Sequence, residues 1–292
     1  MIFKLIIDAK AIIAETPIWD HRINKLYWTD TLKGDVHQYD PVLKTDKIWH
    51  TDRPIGSAVP CNDENYVFCA LEGGMYRLDL RTSELKFIVK PEDQPFFKYN
   101  DTRIDPCGRI FTSTVSVFFG TDKFLPSMQG AFFMIDPDLS IKTLVSDIQQ
   151  YNGIVWNSEK TKMFVVDTGN QKLLEFPYSL ENGAESNYFE VIDFTEIGMP
   201  DGLSIDVEDN LYVCHWTGKI SVWDKNFNLK EIIDFPVEYV CCCGFGGPDM
   251  KDIFVATSSY NYSGSDYERN PGAGGIFVSR SQIKGCPDNF FR

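Results

Sequence analysis

Short apolar segments dominate the chain, and long stretches with the 3.6-residue period of an amphipathic helix are missing. Aromatic and β-branched residues gather in short runs, and clusters of Gly, Pro, Asn and Asp separate these runs. This is the pattern of strands joined by turns. The sequence therefore predicts an all-β fold.

One kind of strand returns six times, and successive centres are 40, 43, 54, 48 and 42 residues apart. A recurring unit of about 40–50 residues, long enough for four strands, is typical of a propeller blade. We therefore predict a six-bladed β-propeller that forms a single domain over residues 1–292, with a β-sandwich of accidental spacing as the alternative. The repeated strands are Leu26-Tyr27-Trp28, Tyr66-Val67-Phe68, Arg109-Ile110-Phe111, Met163-Phe164-Val165, Leu211-Tyr212-Val213 and Ile253-Phe254-Val255.

The two ends of the sequence predict how the ring closes. After the sixth repeat the chain runs short of strands, whereas Phe3, Leu5 and Ile7 alternate as in a strand. Pairing this strand into the last blade would leave no exposed sheet edge there. The segment 260–275, rich in Tyr, Ser and Gly, is interpreted as a long blade hairpin or a mobile loop over one face.

The charge balance and the cysteines narrow the function classes. With 28 basic and 42 acidic residues the net charge is −14, which disfavours nucleic acid and anionic membrane surfaces as partners. No apolar run is long enough to cross a membrane, and charged residues interrupt the first apolar run. The eight cysteines show no CxxC spacing, so we expect reduced, mostly buried thiols in a cytoplasmic monomer.

Polar residues recur 10 to 12 positions before the repeated strand centres. They are Glu15, Asn100, Asn152 and Asp201, while blade two offers Gly56 or Ser57 and blade six the stretch 242–245. Because the innermost strands of a propeller converge on its axis, we predict an oxygen-rich cage for one divalent cation in the central channel. Ca²⁺ suits these donors best, and Zn²⁺, Mg²⁺ and Mn²⁺ are alternatives. Asn-Gly and Asp-Gly are also common turn dipeptides, so turn chemistry remains the alternative explanation.

Six segments in the same order resemble the family of regucalcin (senescence marker protein), gluconolactonase and luciferin-regenerating enzyme. The resemblance implies a six-bladed propeller with one divalent cation, and many members open sugar lactones. It matches Glu15, Asn152 and Asp201 to the metal ligands, Asn100 to a residue near metal and substrate, and Asp101 to its acidic neighbour. The segments are Glu15–Asp20, Tyr99–Asp101, Asp105–Arg109, Asn152–Trp156, Pro200–Leu203 and Phe245–Asp249.

Two positions depart from the family pattern. Lys98 stands where members with aldonolactonase activity usually carry Arg, and lysine lacks the planar fork that holds two oxygens. The stretch 113–119, Ser-Thr-Val-Ser-Val-Phe-Phe, stands where regucalcins have an acidic substrate contact. The sequence therefore predicts a more apolar pocket there, with Lys98, Asn100 and Asp101 binding substrate.

The predicted function is metal-assisted hydrolysis of a sugar lactone. The cation and Lys98 would stabilise the oxyanion, and Asp201 or Asp101 would accept the proton of the attacking water. No G-x-S-x-G motif supports a serine nucleophile. Two alternatives stay open: hydrolysis of another ester, a nitrile-derived heterocycle or a phosphotriester on the same metal, and a non-catalytic calcium-binding propeller.

Overall fold

The structure, a computed structural model, describes residues 1–93, 96–118, 121–123, 125 and 127–292. Within these residues the strands form six antiparallel sheets, each wound from an inner strand outward. The inner strands of neighbouring sheets contact one another around a central channel. The six-bladed β-propeller predicted from the sequence is confirmed.

Blades one to three each contain four strands. Blade one is β2 (Ala14–Asp20), β3 (Lys25–Asp30), β4 (Asp35–Asp40) and β5 (Thr45–His50). Blade two is β6 (Ile55–Pro60), β7 (Tyr66–Leu71), β8 (Gly74–Asp79) and β9 (Leu85–Val89). Blade three is β10 (Phe97–Ile104), β11 (Ile110–Ser116), β12 (Gly130–Ile135) and β13 (Ile141–Ile148).

Blade four has an extra short strand, and blade six takes one strand from the other end of the chain. Blade four is β14 (Tyr151–Trp156), β15 (Lys162–Asp167), β16 (Lys172–Ser179), β17 (Gly183–Ala184) and β18 (Phe189–Asp193). Blade five is β19 (Pro200–Ile205), β20 (Leu211–His215), β21 (Lys219–Trp223) and β22 (Leu229–Asp234). Blade six is β23 (Val240–Gly246), β24 (Asp252–Thr257), β25 (Ile276–Arg280) and β1 (Lys4–Ile7).

The strand that recurs in the sequence is the second strand of every blade, namely β3, β7, β11, β15, β20 and β24. The predicted closure is also confirmed. Strand β1 pairs antiparallel with β25, with Lys4 opposite Val278 and Leu5 opposite Phe277. The ring is thus closed by backbone hydrogen bonds between residues from the two ends of the sequence.

The apolar core lies between neighbouring blades. One cluster, between blades three and four, packs Phe111, Phe132, Trp156 and Phe176 against one another. Burying a side chain of this size contributes roughly 1.5–3 kcal/mol to folding. Equivalent clusters at the other five junctions hold the inner strands at fixed positions around the axis.

The segment 260–275 is the connection between β24 and β25. It contains a six-residue helix, α1 (Gly264–Arg269), whose first turn is held by a hydrogen bond from the Ser263 backbone N–H to Asp266. In the part of the chain that the structure describes, no helix is long and apolar enough to span a membrane.

The C-terminal segment closes one end of the channel. Cys286 donates from its backbone to Ile205 in blade five, Asn289 donates to the carbonyl of Ile104 in blade three, and Phe291 pairs beside Cys61 next to blade two. Residues 285–292 therefore cross this end as a strap.

Candidate functional site

Each innermost strand has one extra residue relative to the strand with which it pairs. The pairing register of the two strands therefore shifts by one residue. The shifts fall between Glu15 and Ile18, Ile55 and Ser57, Tyr99 and Thr102, Asn152 and Ile154, Pro200 and Leu203, and Val240 and Cys242. Bulges of this kind redirect side chains and are enriched next to active sites. Each polar residue predicted to face the channel lies in or beside one of these shifts.

Three potential ligands from blades one, five and six meet in the channel. One ligand atom each of Glu15, Asp201 and Cys241 lies within 4.8 Å of the other two. Asp201 and Cys241 are buried, and Glu15 is half-buried. The indole Nε1 of Trp216 donates a hydrogen bond to Oδ2 of Asp201 at 2.5 Å, which fixes the orientation of that carboxylate.

Blades three and four contribute two linked amides. The Nδ2 of Asn100 donates to Oδ1 of Asn152 at 2.5 Å and to the carbonyl of Tyr151 at 2.9 Å. The Nδ2 of Asn152 donates to the hydroxyl of Thr168 at 2.7 Å. Both NH₂ groups are thus held by protein acceptors. The oxygen of Asn100 stays available, and the oxygen of Asn152 keeps one acceptor position.

Asp101 belongs to a buried ion pair. Its Oδ1 accepts a hydrogen bond from Nη1 of Arg103 at 2.5 Å and one from the backbone N–H of Thr102 at 3.0 Å. Its Oδ2 is buried without a hydrogen-bond partner among the described residues. One carboxylate oxygen of Asp101 is therefore held by hydrogen bonds, and the other has no partner among the described residues.

A cavity of about 330 Å³ is lined by Glu15, Asn100 and Asp201 together with Lys98. This volume suits a small organic molecule. Val115 and Val117 also line it, in agreement with the prediction of a more apolar wall. Phe119, the last residue of that predicted stretch, lies outside the described residues.

The carboxyl groups of the site are crowded. Burial raises the pKa of Glu15 well above its usual range, and the charges of Asp201 and Asp101 raise it further. Burial also raises the pKa of Asp201 to about 7, with a smaller lowering by the Trp216 hydrogen bond and a contribution from the charge of Asp101. Burial lowers the pKa of Lys98, against the opposing influence of Glu15.

This donor set fits a divalent cation. Carboxyl groups held so close repel each other when ionised, and a bound cation would relieve the repulsion and the cost of burial together. Carboxylate and amide oxygens are the ligands that hard cations prefer. Of the ligands predicted from the sequence, Glu15 and Asp201 lie together, and the thiol of Cys241 lies with them. Asn152, the third predicted ligand, is connected to the cavity through its hydrogen bond with Asn100.

Cys241 is a site residue that the sequence analysis missed. It stands 13 positions before Phe254, one outside the spacing of 10 to 12, so the analysis assigned blade six to residues 242–245. The register shift at Cys241 also interrupts the alternation of side chains along this strand. Cys241 and Cys242 pack between blades six and one, and Cys243 packs between blades five and six.

All eight cysteines are free thiols, six of them buried, as expected from the sequence. Trp216 and Arg103 were also missed. Neither falls at the repeated spacing, and their roles depend on contacts across strands, so nothing in the pattern along the chain could have identified them.

Comparison with known proteins identifies the family. The chain matches the family model described as SMP-30/Gluconolactonase/LRE-like region over residues 13–259. It belongs to this family. The resemblance found in the sequence is therefore confirmed, together with its implication for the fold.

Individual relatives match along nearly their whole length. A Bacillus subtilis (strain 168) protein, provisionally named sugar lactone lactonase YvrE, is 30% identical over 95% of this chain and 94% of its own. The crystal structure of a calcium-binding regucalcin from Agrobacterium tumefaciens superposes with a TM-score of 0.90 at 21% identity, covering 99% of this chain and 96% of that one. A luciferin-regenerating enzyme superposes with a TM-score of 0.90 at 24% identity, covering 100% and 99%.

Proposed function

We propose that this protein hydrolyses a lactone, with glucono-1,5-lactone as the first substrate to test, using one divalent cation in the channel. The observation that carries the proposal is the cluster of Glu15, Asp201 and Cys241, whose two carboxyl groups line a cavity together with Lys98. The name of the Bacillus subtilis relative and the family description support a lactone as substrate. The calcium-binding Agrobacterium regucalcin supports a divalent cation.

The reaction adds water across one bond. The water oxygen bonds to the carbonyl carbon, the bond from that carbon to the ring oxygen breaks, and the ring oxygen takes up one proton from the water to become a hydroxyl group. The products are a hydroxy carboxylate and one released proton. When bound, the cation would supply Lewis-acid polarisation of the carbonyl. All other steps fall to residues of the chain.

Lys98 is assigned to the developing oxyanion. Its half-buried ammonium group lines the same cavity as Glu15 and Asp201. In a site of low polarity a fixed positive charge stabilises developing negative charge more strongly than in water. The oxygen of Asn100, whose NH₂ group is already bonded to protein, would accept a hydrogen bond from a substrate hydroxyl.

Asp201 is assigned as the residue that accepts the proton of the attacking water. It lines the cavity, and the hydrogen bond from Trp216 holds its orientation. One oxygen of Asp101 is already held by Arg103, and Asp101 is not among the residues that line the cavity. We therefore assign to Asp101 an electrostatic role beside the substrate.

The test is a proton-release assay with glucono-1,5-lactone, in EDTA and then with Ca²⁺, Zn²⁺ or Mn²⁺ added. We expect turnover that requires a cation and falls by at least about 10³-fold in Asp201→Asn, with metal binding still detectable by calorimetry. Glu231→Gln, an exposed carboxylate on the outer strand of the same blade, is the matched control and should leave turnover unchanged. Hydrolysis that is equally fast in EDTA would contradict the proposal.

A further inference from the structure

Cys241 places a sulfur atom among oxygen donors. Its Sγ belongs to the group of three ligand atoms that all lie within 4.8 Å of one another, and the other two come from Glu15 and Asp201. Cys241 lies within the register shift of blade six, just as Asp201 lies within that of blade five. Both residues thus lie at the point where an inner strand has one extra residue.

The neighbouring cysteines are held differently. Cys243 donates to the carbonyl of Tyr212 at 3.6 Å, within the core between blades five and six. Cys242 lies against Gly202, where an added Cβ would come within 2.2 Å of its sulfur. The contact of Cys241 with the carbonyl of Tyr239 is longer, at 4.0 Å. Of the three, Cys241 is the thiol grouped with two carboxylates.

The spacing of the three ligand atoms suits a small tetrahedral ion if the atoms move slightly closer together. Zinc binds sulfur at about 2.3 Å and carboxylate oxygen at about 2.0–2.2 Å, which puts neighbouring ligand atoms roughly 3.3–3.8 Å apart in a tetrahedron. Side-chain rotations that draw the three atoms together by about 1 Å would reach this spacing. Thiolate is a soft ligand that favours zinc and similar ions, whereas calcium prefers oxygen.

We propose that Cys241 is a thiolate ligand of the channel cation and that it makes the site select a thiophilic ion such as Zn²⁺ over Ca²⁺. This inference rests on the proposed function only in placing the cation at Glu15 and Asp201. Two carboxylates and a thiolate carry three negative charges. A divalent ion together with the ammonium group of Lys98, which interacts electrostatically with Glu15, offsets them.

The experiment uses Co²⁺ as a spectroscopic substitute for Zn²⁺ in the full-length, metal-free protein. A cobalt–thiolate bond gives an intense sulfur-to-metal charge-transfer band in the near ultraviolet, which oxygen ligands do not give. We expect this band in the wild type and its loss in Cys241→Ala. Cys69→Ala removes an equally buried thiol from blade two and should keep the band.

Calorimetric titration completes the test. Cys241→Ala should weaken Zn²⁺ binding by more than about tenfold and leave Ca²⁺ binding within about threefold. Co²⁺ binding to the wild type without the band, a band that survives in Cys241→Ala, or failure of Co²⁺ and Zn²⁺ to bind would each overturn the proposal. These readouts need no substrate. Absence of lactone hydrolysis together with the expected band would therefore overturn the proposed function and leave the ligand assignment standing.

Discussion

Arg103 donates a hydrogen bond to Asp101 inside the channel wall, with 2.5 Å between Nη1 and Oδ1, and both side chains are about 5% exposed. The Nε of the same guanidinium lies 3.8 Å from Oδ1 of Asp288 in the C-terminal strap. One arginine thus connects the strap with the acidic residue next to Asn100. The strap closes the far end of the channel and also fixes a charge that faces the site.

Removing one member of this pair should cost more than removing both. Arg103→Leu leaves Asp101 as a buried charge without its partner, so we expect the free energy of unfolding to fall by about 3–5 kcal/mol. The double variant Arg103→Leu/Asp101→Leu should recover part of that loss, because the buried charge of Asp101 is removed together with its partner. Urea unfolding of the two single variants and the double variant measures the coupling, and additive losses would contradict the expectation.

Lys98 should matter for catalysis more than for stability. Lys98→Met keeps the length of the side chain but removes the charge, and we expect kcat for glucono-1,5-lactone to fall about 10²-fold. Lys98→Arg restores the charge and adds a second donor direction, so it should keep kcat within about tenfold and lower KM for polyhydroxylated lactones. If kcat is unchanged in Lys98→Met, the assignment of Lys98 to the oxyanion is wrong.

Gly153 follows Asn152 and has a φ of +43°, in the left-handed region. A Cβ at this position would lie 2.4 Å from Cβ of Leu203, so neighbouring strands would have to separate. We expect Gly153→Ala to lower the free energy of unfolding by at least about 2 kcal/mol and to weaken metal binding, because Asn152 is displaced.

Gly264→Ala in helix α1 is the matched control, since nothing lies within 4 Å of its added Cβ. It should leave both stability and metal affinity unchanged. Equal effects of the two substitutions would show that the register shift at Gly153 does not position Asn152.

Buried His215 should make stability depend on pH. Burial lowers its pKa to about 4, against about 6.5 in an unfolded chain. As the pH falls below about 6.5, this histidine binds a proton in the unfolded chain but not in the folded protein. The free energy of unfolding therefore falls until about pH 4. This residue accounts for at most about 3 kcal/mol of the loss.

His215→Gln should lose this component of the pH dependence. The histidine bonds to the carbonyl of Gly198 and to the hydroxyl of Ser221, so the comparison is made between slopes rather than absolute stabilities. Urea unfolding at several pH values between about 7 and about 4 gives both slopes. Parallel profiles for wild type and variant would contradict the assignment.

The sequence pattern was sufficient for the blade number and the closing strand, and it selected Glu15 and Asp201, which the structure brings together. It succeeded because each blade repeats the same order of strands, so that a constant spacing along the chain becomes a shared position around the axis. Glu15, Asn152 and Asp201 were found in this way. Cys241 was missed because its hairpin places it one residue beyond the spacing that located the others.

The remaining features depend on contacts in space that the spacing of residues along the chain does not reveal. The indole of Trp216 reaches Asp201 from the end of the neighbouring strand, and Arg103 reaches both Asp101 and a strap almost two hundred residues further along the chain. Such contacts are set by side-chain conformations and by the path of the C-terminal strap, which is not part of the repeating blade unit. Only the folded arrangement reveals them.

The closing strand has a consequence for biosynthesis. Lys4 and Leu5 leave the ribosome early, but their partners Val278 and Phe277 are synthesised near the end. Until then β1 is a solitary strand, and once β25 has emerged its outer edge stays unpaired until β1 docks. Contacts so distant in sequence form slowly because the whole intervening chain must first be ordered. Five blades can assemble as they emerge, but the sixth cannot be completed before β25 has been synthesised.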